Sequence, residues 1–182
     1  MRIVSGEHRG IRLTSVPGKN TRPTSDKVKE SIFNIIGPYF SGGHCLDLFA
    51  GSGNLGLEAI SRGVDSAVFV EKNALAIKTI NENIKKLRVE NKARVYRNDA
   101  FKSLKQLTEQ NFIFKIIFMD PPYHFKAIHK YLDEIIHNNL LEEEGLIIYE
   151  HDSTVKAPSH ESLLKTREAH YGTTSITIYK KS

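Results

Sequence analysis

Leu46-Asp47-Leu48-Phe49-Ala50-Gly51-Ser52-Gly53-Asn54-Leu55-Gly56 decides the fold. An apolar, strand-like run ends in three closely spaced glycines and continues as a helix-like segment. Glycine lets the backbone turn sharply and come close to a ligand, and the helix that follows presents free N–H groups. Gly51-x-Gly53-x-x-Gly56 matches the dinucleotide-type fingerprint, and Glu71 stands eighteen residues after Gly53, at the end of the next strand-like run. A carboxylate at that place accepts hydrogen bonds from ribose hydroxyls.

Outward from this loop, strand-like and helix-like runs alternate. Strands are expected at 44–49, 66–70, 93–97, 113–119 and 145–150, with helices at about 54–62, 73–88, 100–109 and 125–138. Such alternation predicts an α/β fold: a mostly parallel sheet covered by helices on both faces. Two further strands, about 166–171 and 174–179, are separated only by Gly172-Thr173. That gap is too short for a parallel crossover, so they form an antiparallel hairpin at a sheet edge. The acidic run Glu142-Glu143-Glu144 reads as a solvated turn.

Before the loop, residues 2–16 read as a short hairpin turning between Gly6 and Gly10. A helix is expected from Thr24 or Ser25, with apolar Val28, Ile32, Phe33, Ile35 and Ile36, stopped by Gly37-Pro38. Residues 1–30 carry seven Lys/Arg (Arg2, Arg9, Arg12, Lys19, Arg22, Lys27, Lys29) against Glu7, Asp26 and Glu30, and so hold most of the net charge of +5. A basic appendage on a near-neutral body fits a phosphate-backbone binder, or else a solvated face. The reading is therefore residues 1–43 as a basic extension, which the resemblance given below makes RNA-binding, and 44–182 as the main domain. At 182 residues and 40% hydrophobic the chain suits one soluble domain with an appendage. The single Cys45 excludes an internal disulfide and a multi-cysteine zinc site, and no metal site is expected. No apolar run approaches a membrane span, and no apolar stretch follows the basic N-terminus, so a cytoplasmic location is expected.

The glycine loop alone does not separate a nicotinamide site from an S-adenosylmethionine site. Asp47, within the strand, is placed to face the methionine ammonium; Asp99, after the third strand, is placed to read the adenine amino group. The alternative for Asp47 is a helix or turn cap, and for Asp99 an N-cap of the next helix, a role one carboxylate can combine with ligand binding. The fourth strand runs into Asp120-Pro121-Pro122-Tyr123, at the sheet edge where parallel folds bind ligands. The Asp120 carboxylate and the Pro121 carbonyl make two acceptors for an exocyclic amine, and Tyr123 offers a face to a planar base. An aromatic amine is a weak nucleophile, because its lone pair is delocalised. Two acceptors favour a pyramidal nitrogen and stabilise the positive charge that builds as it attacks a methyl sulfonium. Positioning does most of the work, and no covalent enzyme adduct is needed. The bland alternative for these four residues is a rigid strand-to-helix turn.

Taken together, the chain resembles a class I S-adenosylmethionine-dependent methyltransferase. More narrowly, it resembles the RsmD family, the bacterial 16S rRNA (guanine(966)-N(2))-methyltransferases. The resemblance rests on Met1–Gly6, Arg9-Gly10, Thr21–Thr24, Lys29–Asn34, Leu46–Gly53, Leu55–Ala59, Ser61–Gly63, Asp120–Tyr123 and Tyr171-Gly172. It implies a Rossmann-like, seven-stranded sheet with an antiparallel last strand and a small N-terminal β-hairpin. It implies that Asp47, Phe49, Ala50, Gly51, Ser52, Gly53, Glu71, Asp99 and Ala100 bind S-adenosylmethionine, with Arg22 and Thr24 close by. Asp120, Pro121 and Tyr123 would hold the base amine, and Arg2, Arg9, Arg12, Lys19 and Arg22 the RNA. The expected partner is 16S rRNA in the small ribosomal subunit or an assembly intermediate, met by a monomer away from membranes. Lys115 departs from the Asp that often begins such a strand, without touching the chemistry.

Three rivals share features. A DNA adenine-N6 methyltransferase shares Asp-Pro-Pro-Tyr but needs a target-reading domain for which about 43 N-terminal residues leave little room. A nicotinamide oxidoreductase gives no reason for that motif. A catalytically silent RNA-binding or assembly factor gives no reason for a full set of chemical residues.

Overall fold

The computed structural model describes residues 1–18, 24–122 and 125–182. Its strands are β1 (His44–Asp47), β2 (Ser66–Glu71), β3 (Ala93–Arg97), β4 (Phe114–Met119), β5 (Leu141–Asp152), β6 (Leu163–Tyr171) and β7 (Thr174–Lys181). Its helices are α1 (Asp26–Ile36), α2 (Asn54–Ser61), α3 (Ala74–Leu87), α4 (Ala100–Glu109) and α5 (Ile128–His137). One seven-stranded sheet forms in the order β3-β2-β1-β4-β5-β7-β6. Neighbours from β3 to β5 are parallel. β7 runs antiparallel to both β5 and β6, as expected of the last strand.

The chain leaves β1 toward β2 and β3, then returns to β4 on the other side of β1. At such a switch point the loops after the two central strands diverge and open a crevice. The glycine loop after β1 and Asp120-Pro121 after β4 therefore flank one opening, with Asp47 opposite Phe118 in the ladder.

Period-two alternation sends side chains to two cores. Cys45, Phe69, Phe118 and Ile148 face Ile32 and Phe33 of α1, Leu57 of α2 and Ile80 of α3. Leu46, Val68, Ile117 and Tyr149 face Leu104 of α4 and Leu132 of α5. Ser25 caps α1 by accepting the Val28 N–H at 3.2 Å, and the Gly37 N–H ends it on the Phe33 carbonyl.

Three local expectations change. The N-terminal hairpin has its turn where Gly6 and Gly10 take positive φ, but its arms meet in one antiparallel bridge, Arg2 with Arg12. The Ile3, Gly10 and Leu13 N–H groups still bond across it, to the Ile11, Ile3 and Met1 carbonyls, while those of Val4 and Ser5 turn to Glu58 of α2. β5 starts at Leu141 rather than 145, so Glu142–Glu144 extend a strand instead of forming a turn; Glu144 at φ 63 marks the irregularity. β1 stops at Asp47 rather than 49, because the backbone already bends there into the glycine loop, although the Leu48 N–H still reaches the Phe118 carbonyl at 3.1 Å.

Candidate active site

The glycine loop is fixed from three sides. The Gly51 N–H donates to Glu71 Oε1 at 3.1 Å, and the Gly53 N–H to the Ala50 carbonyl at 2.8 Å. The buried Asn83 amide of α3 donates to the Ser52 carbonyl at 2.9 Å. Gly53 caps α2 at φ 84, a left-handed conformation that costs glycine little. At Gly51 a Cβ would meet nothing within 4 Å, so this part of the loop faces open space. Gly56 has the opposite surroundings: a Cβ there would stand 2.4 Å from the Phe69 ring, so it lets helix and strand pack closely.

The acids lie along the same edge. Asp47, 2% exposed, accepts the Gly56 N–H on Oδ2 at 3.0 Å and so caps the first turn of α2. Burial pushes its pKa up to about 7; Gly56 pulls it down, and nearby Glu71 and Glu150 push it further up. Glu71 uses its other oxygen to accept the N–H groups of Lys72 and Asn73, both at 2.8 Å. Asp99 caps α4 through the Lys102 N–H at 3.1 Å and is exposed, with buried Ala100 beside it. Asp47 and Asp99 therefore serve as caps, and Glu71 as a brace of the loops, at the C-terminal edge of the sheet. Buried Ala50 and Ser52 complete the loop. Half-buried Phe49 packs against Phe125 and Tyr131, with ring centres 5.5 and 5.7 Å apart.

Asp120 and Pro121 are half-buried, one strand from Asp47. The Met119–Tyr149 register brings the end of β5 alongside, and the carboxyl groups of Asp120 and Glu150 meet in a hydrogen bond. Burial, with Glu150 and Asp47 as like-charged neighbours, holds Asp120 well above the usual carboxylate range. Burial also raises Glu150, opposed by hydrogen bonds from Thr24 and Asp120. The Thr24 hydroxyl donates to Glu150 Oε2 at 2.8 Å, which places the segment before α1 at the site. Tyr123, Arg22 and Lys19 lie outside the described residues.

Sequence reading gave no role to Glu150, Asn54, Asn83, Lys29, Glu58 or Arg62. Asn54 at the start of α2 donates to the Thr24 carbonyl at 3.1 Å and accepts from Lys29 Nζ at 2.7 Å. Lys29 is fully buried, so it does not belong to the basic surface with which its charge was counted. It pairs with Glu58 at 3.0 Å, and Glu58 pairs with Arg62 at 3.0 Å. Glu58 also accepts the Val4 and Ser5 N–H groups at 2.8 and 3.1 Å, docking the hairpin onto α2. The signal for Glu58 was present in the sequence. A short helix of Leu55, Gly56, Leu57, Ala59 and Ile60 leaves no solvent face for an acid, and all eight residues of α2 are buried.

Arg9 and Arg12 are exposed on the hairpin, and Arg2 is exposed in a loose pair with Asp26 at 3.6 Å. Lys86 of α3 reaches the Thr14 hydroxyl at 2.6 Å, which continues the basic face from hairpin to helix.

Comparison with known proteins covers the whole of this architecture. A family described as conserved hypothetical protein 95 matches residues 1–180. A Bacillus subtilis protein named "Putative rRNA methyltransferase YlbH" is 48% identical over 182 residues, covering 100% of this chain and 99% of that protein. The "Ribosomal RNA small subunit methyltransferase D" of Haemophilus influenzae is 34% identical, covering 99% of this chain and 92% of its own length. A solved structure titled "Putative methyltransferase yhhF from Escherichia coli" superposes with a TM-score of 0.87 at 31% identity, over 100% of this chain and 98% of that one.

Proposed function

This chain belongs to the conserved hypothetical protein 95 family, and from that membership we propose that it is a methyltransferase acting on the exocyclic N2 of a guanine in 16S rRNA of the small ribosomal subunit. One observation carries the reading: Asp47, Asp120 and Glu150 converge at the C-terminal edge of three adjacent strands, beside a glycine loop with open space over Gly51. That edge combines a place for a cationic, ribose-bearing donor with a place for an amine acceptor.

The residues fit S-adenosylmethionine, which supplies an electrophilic methyl group on a sulfonium sulfur. Asp47 would face the methionine ammonium, and Glu71 would take the ribose hydroxyls. Asp99 and the Ala100 backbone would meet adenine, and Phe49, Ala50, Gly51, Ser52 and Gly53 would line the path between them. Thr24, with Arg22 beside it in the chain, would close the site from the N-terminal segment. The Asp120 carboxyl oxygen and the Pro121 carbonyl would hold the two hydrogens of the guanine amine, which orients its lone pair toward the methyl group. Proline at 121 and 122 fixes the backbone there, and Tyr123 would stack on the base.

The base must leave its stack before a pocket can surround it. Arg2, Arg9, Arg12, Lys19 and Arg22 would hold the surrounding phosphates. Among the described residues no helix is long and apolar enough to cross a membrane.

The test uses small-subunit particles from a strain lacking this enzyme, with tritiated-methyl S-adenosylmethionine and nucleoside analysis of the RNA. N2-methylguanosine in 16S rRNA is expected. Asp120→Ala should retain cofactor affinity by calorimetry and lose about 10²–10³ in kcat, the usual cost of removing one partner of developing charge. Label in DNA adenine, or near-normal turnover by the variant, would reject the assignment.

A further inference from the structure

Methylation of an aromatic amine leaves the nitrogen with one proton too many. The N2–methyl bond forms as the sulfur–methyl bond breaks, with that electron pair remaining on sulfur. The new N-methyl ammonium then loses a proton to become the neutral product. Asp120 is the nearest acid to the amine in the function proposed above, on which this inference rests.

Two carboxyl groups can hydrogen-bond to each other only with a proton between them. Asp120 and Glu150 do so, and Glu150 accepts a second bond from the Thr24 hydroxyl at 2.8 Å. Thr24 is itself anchored, because its carbonyl accepts the Asn54 amide, and Asn54 is held by the buried Lys29. Glu150 is thus an acceptor of two hydrogen bonds, held by Thr24 as well as by Asp120. Its surroundings favour this state. Asp47 on β1 is the other acid bearing on Asp120, and Ile176 of β7, opposite Glu150 in the ladder, brings no charge. Among the described residues no cation stands against Glu150, so its carboxylate depends on hydrogen bonds for its support.

We infer that Glu150 is the positioning partner and proton acceptor of Asp120. It orients Asp120 so that one oxygen faces the amine, and it takes the proton of Asp120 as Asp120 receives one from the methylated nitrogen. The pair begins with one shared proton and ends with two. It returns to its starting state when one of them passes to water. Asp120 thereby remains an acceptor at the moment the amine must release its proton, although the pair already holds one proton between its two carboxyls.

Glu150→Gln tests this, because glutamine can still accept from Thr24 and hydrogen-bond Asp120 but cannot take a proton. The variant should keep its cofactor affinity and melting temperature. Its kcat on small-subunit particles should fall about 10²-fold, the low end for a general acid–base partner, with KM little changed. The acid limb of its pH–rate profile should move to higher pH, because Asp120 must then ionise alone in its buried position, without the shared proton that stabilises the single negative charge of the wild-type pair. Asp120→Asn with Glu150→Gln should lose no more than the worse single variant, as expected of groups that act as a unit. Carbon-13 NMR of the side-chain carboxyls in the cofactor-free protein gives a readout independent of turnover. Asp120 and Glu150 should titrate as one coupled pair, and Glu150→Gln should remove that coupling. Glu150→Gln turnover within twofold of wild type with an unmoved acid limb, multiplying losses in the double variant, or independent titration would overturn the relay alone. Absence of methyl transfer by the wild-type chain would overturn the proposed function and the relay with it.

Discussion

Asp47 sits at the C-terminal end of β1 with a pKa near 7, raised chiefly by burial. Its ordinary value is about 4, so between about pH 4 and pH 7 the folded chain holds a proton that the unfolded chain has lost. Stability from this group therefore falls as pH rises through that window and levels off above it. An ammonium brought alongside by a bound donor reverses the preference, since an opposite charge favours the carboxylate. Cofactor binding should then release a proton. S-adenosylmethionine affinity, measured by calorimetry in buffers of different ionisation enthalpy, should improve as pH rises toward 7, by up to about tenfold per unit. Asp47→Asn should bind more weakly and lose most of this dependence. A wild-type affinity flat from pH 5.5 to 7.5 would mean that Asp47 serves α2 alone.

At the scale of elements, α2 joins three functions in eight residues. Its N-terminus begins at the glycine loop, Asn54 reaches Thr24, and Glu58 binds two buried cations and the backbone of the hairpin. Gly6 fits this contact tightly: a Cβ there would lie 2.0 Å from the Ser61 carbonyl oxygen. Glu58→Gln leaves Lys29 and Arg62 buried without their anion, and among the described residues Arg62 Nη2 already lacks a partner. Breaking a buried pair by removing one member costs about 3–5 kcal/mol. Urea unfolding of Glu58→Gln should show a loss of that order, with proteolysis beginning in the hairpin; a loss below about 1 kcal/mol would place the hairpin's anchorage elsewhere. The strands and helices were legible because each is a local pattern: Val68–Val70 and Ile116–Met119 are apolar runs flanked by turn residues, and Asp99 and Ser25 are caps readable from their neighbours. Asp47, Glu71 and Asp120 were legible because they sit at fixed offsets from strand ends. Glu150 lies within β5, two residues before its end, and belongs to no spacing motif, so its meaning comes from the Asp120 beside it. Lys29 was hidden for a related reason. A charge at helical spacing suggests a solvated face, and only the tertiary contact of α1 with α2 and the hairpin makes it interior.

For the whole molecule, the hairpin and α3 present Arg9, Arg12, Lys85 and Arg88 on exposed positions. Such groups position phosphates without reading sequence, so specificity falls to the shape of the folded RNA. Arg9→Ala with Arg12→Ala should weaken RNA binding and reduce the log–log salt slope by about one unit per lost phosphate contact at most, with cofactor affinity unchanged. Methylation of particles should exceed that of naked rRNA, and naked rRNA should exceed a hairpin oligonucleotide. Equal rates on all three, with no change in salt response, would return the basic segment to an ordinary solvated face. The position of β7 has a consequence of another kind. It lies between β5 and β6 and places Ile176 opposite Glu150. In the strand order β6 joins the sheet through β7, so losing β7 from the ladder detaches β6 as well. This half of the sheet therefore opens as one cooperative unit, and the apolar wall beside Glu150 is lost in the same event.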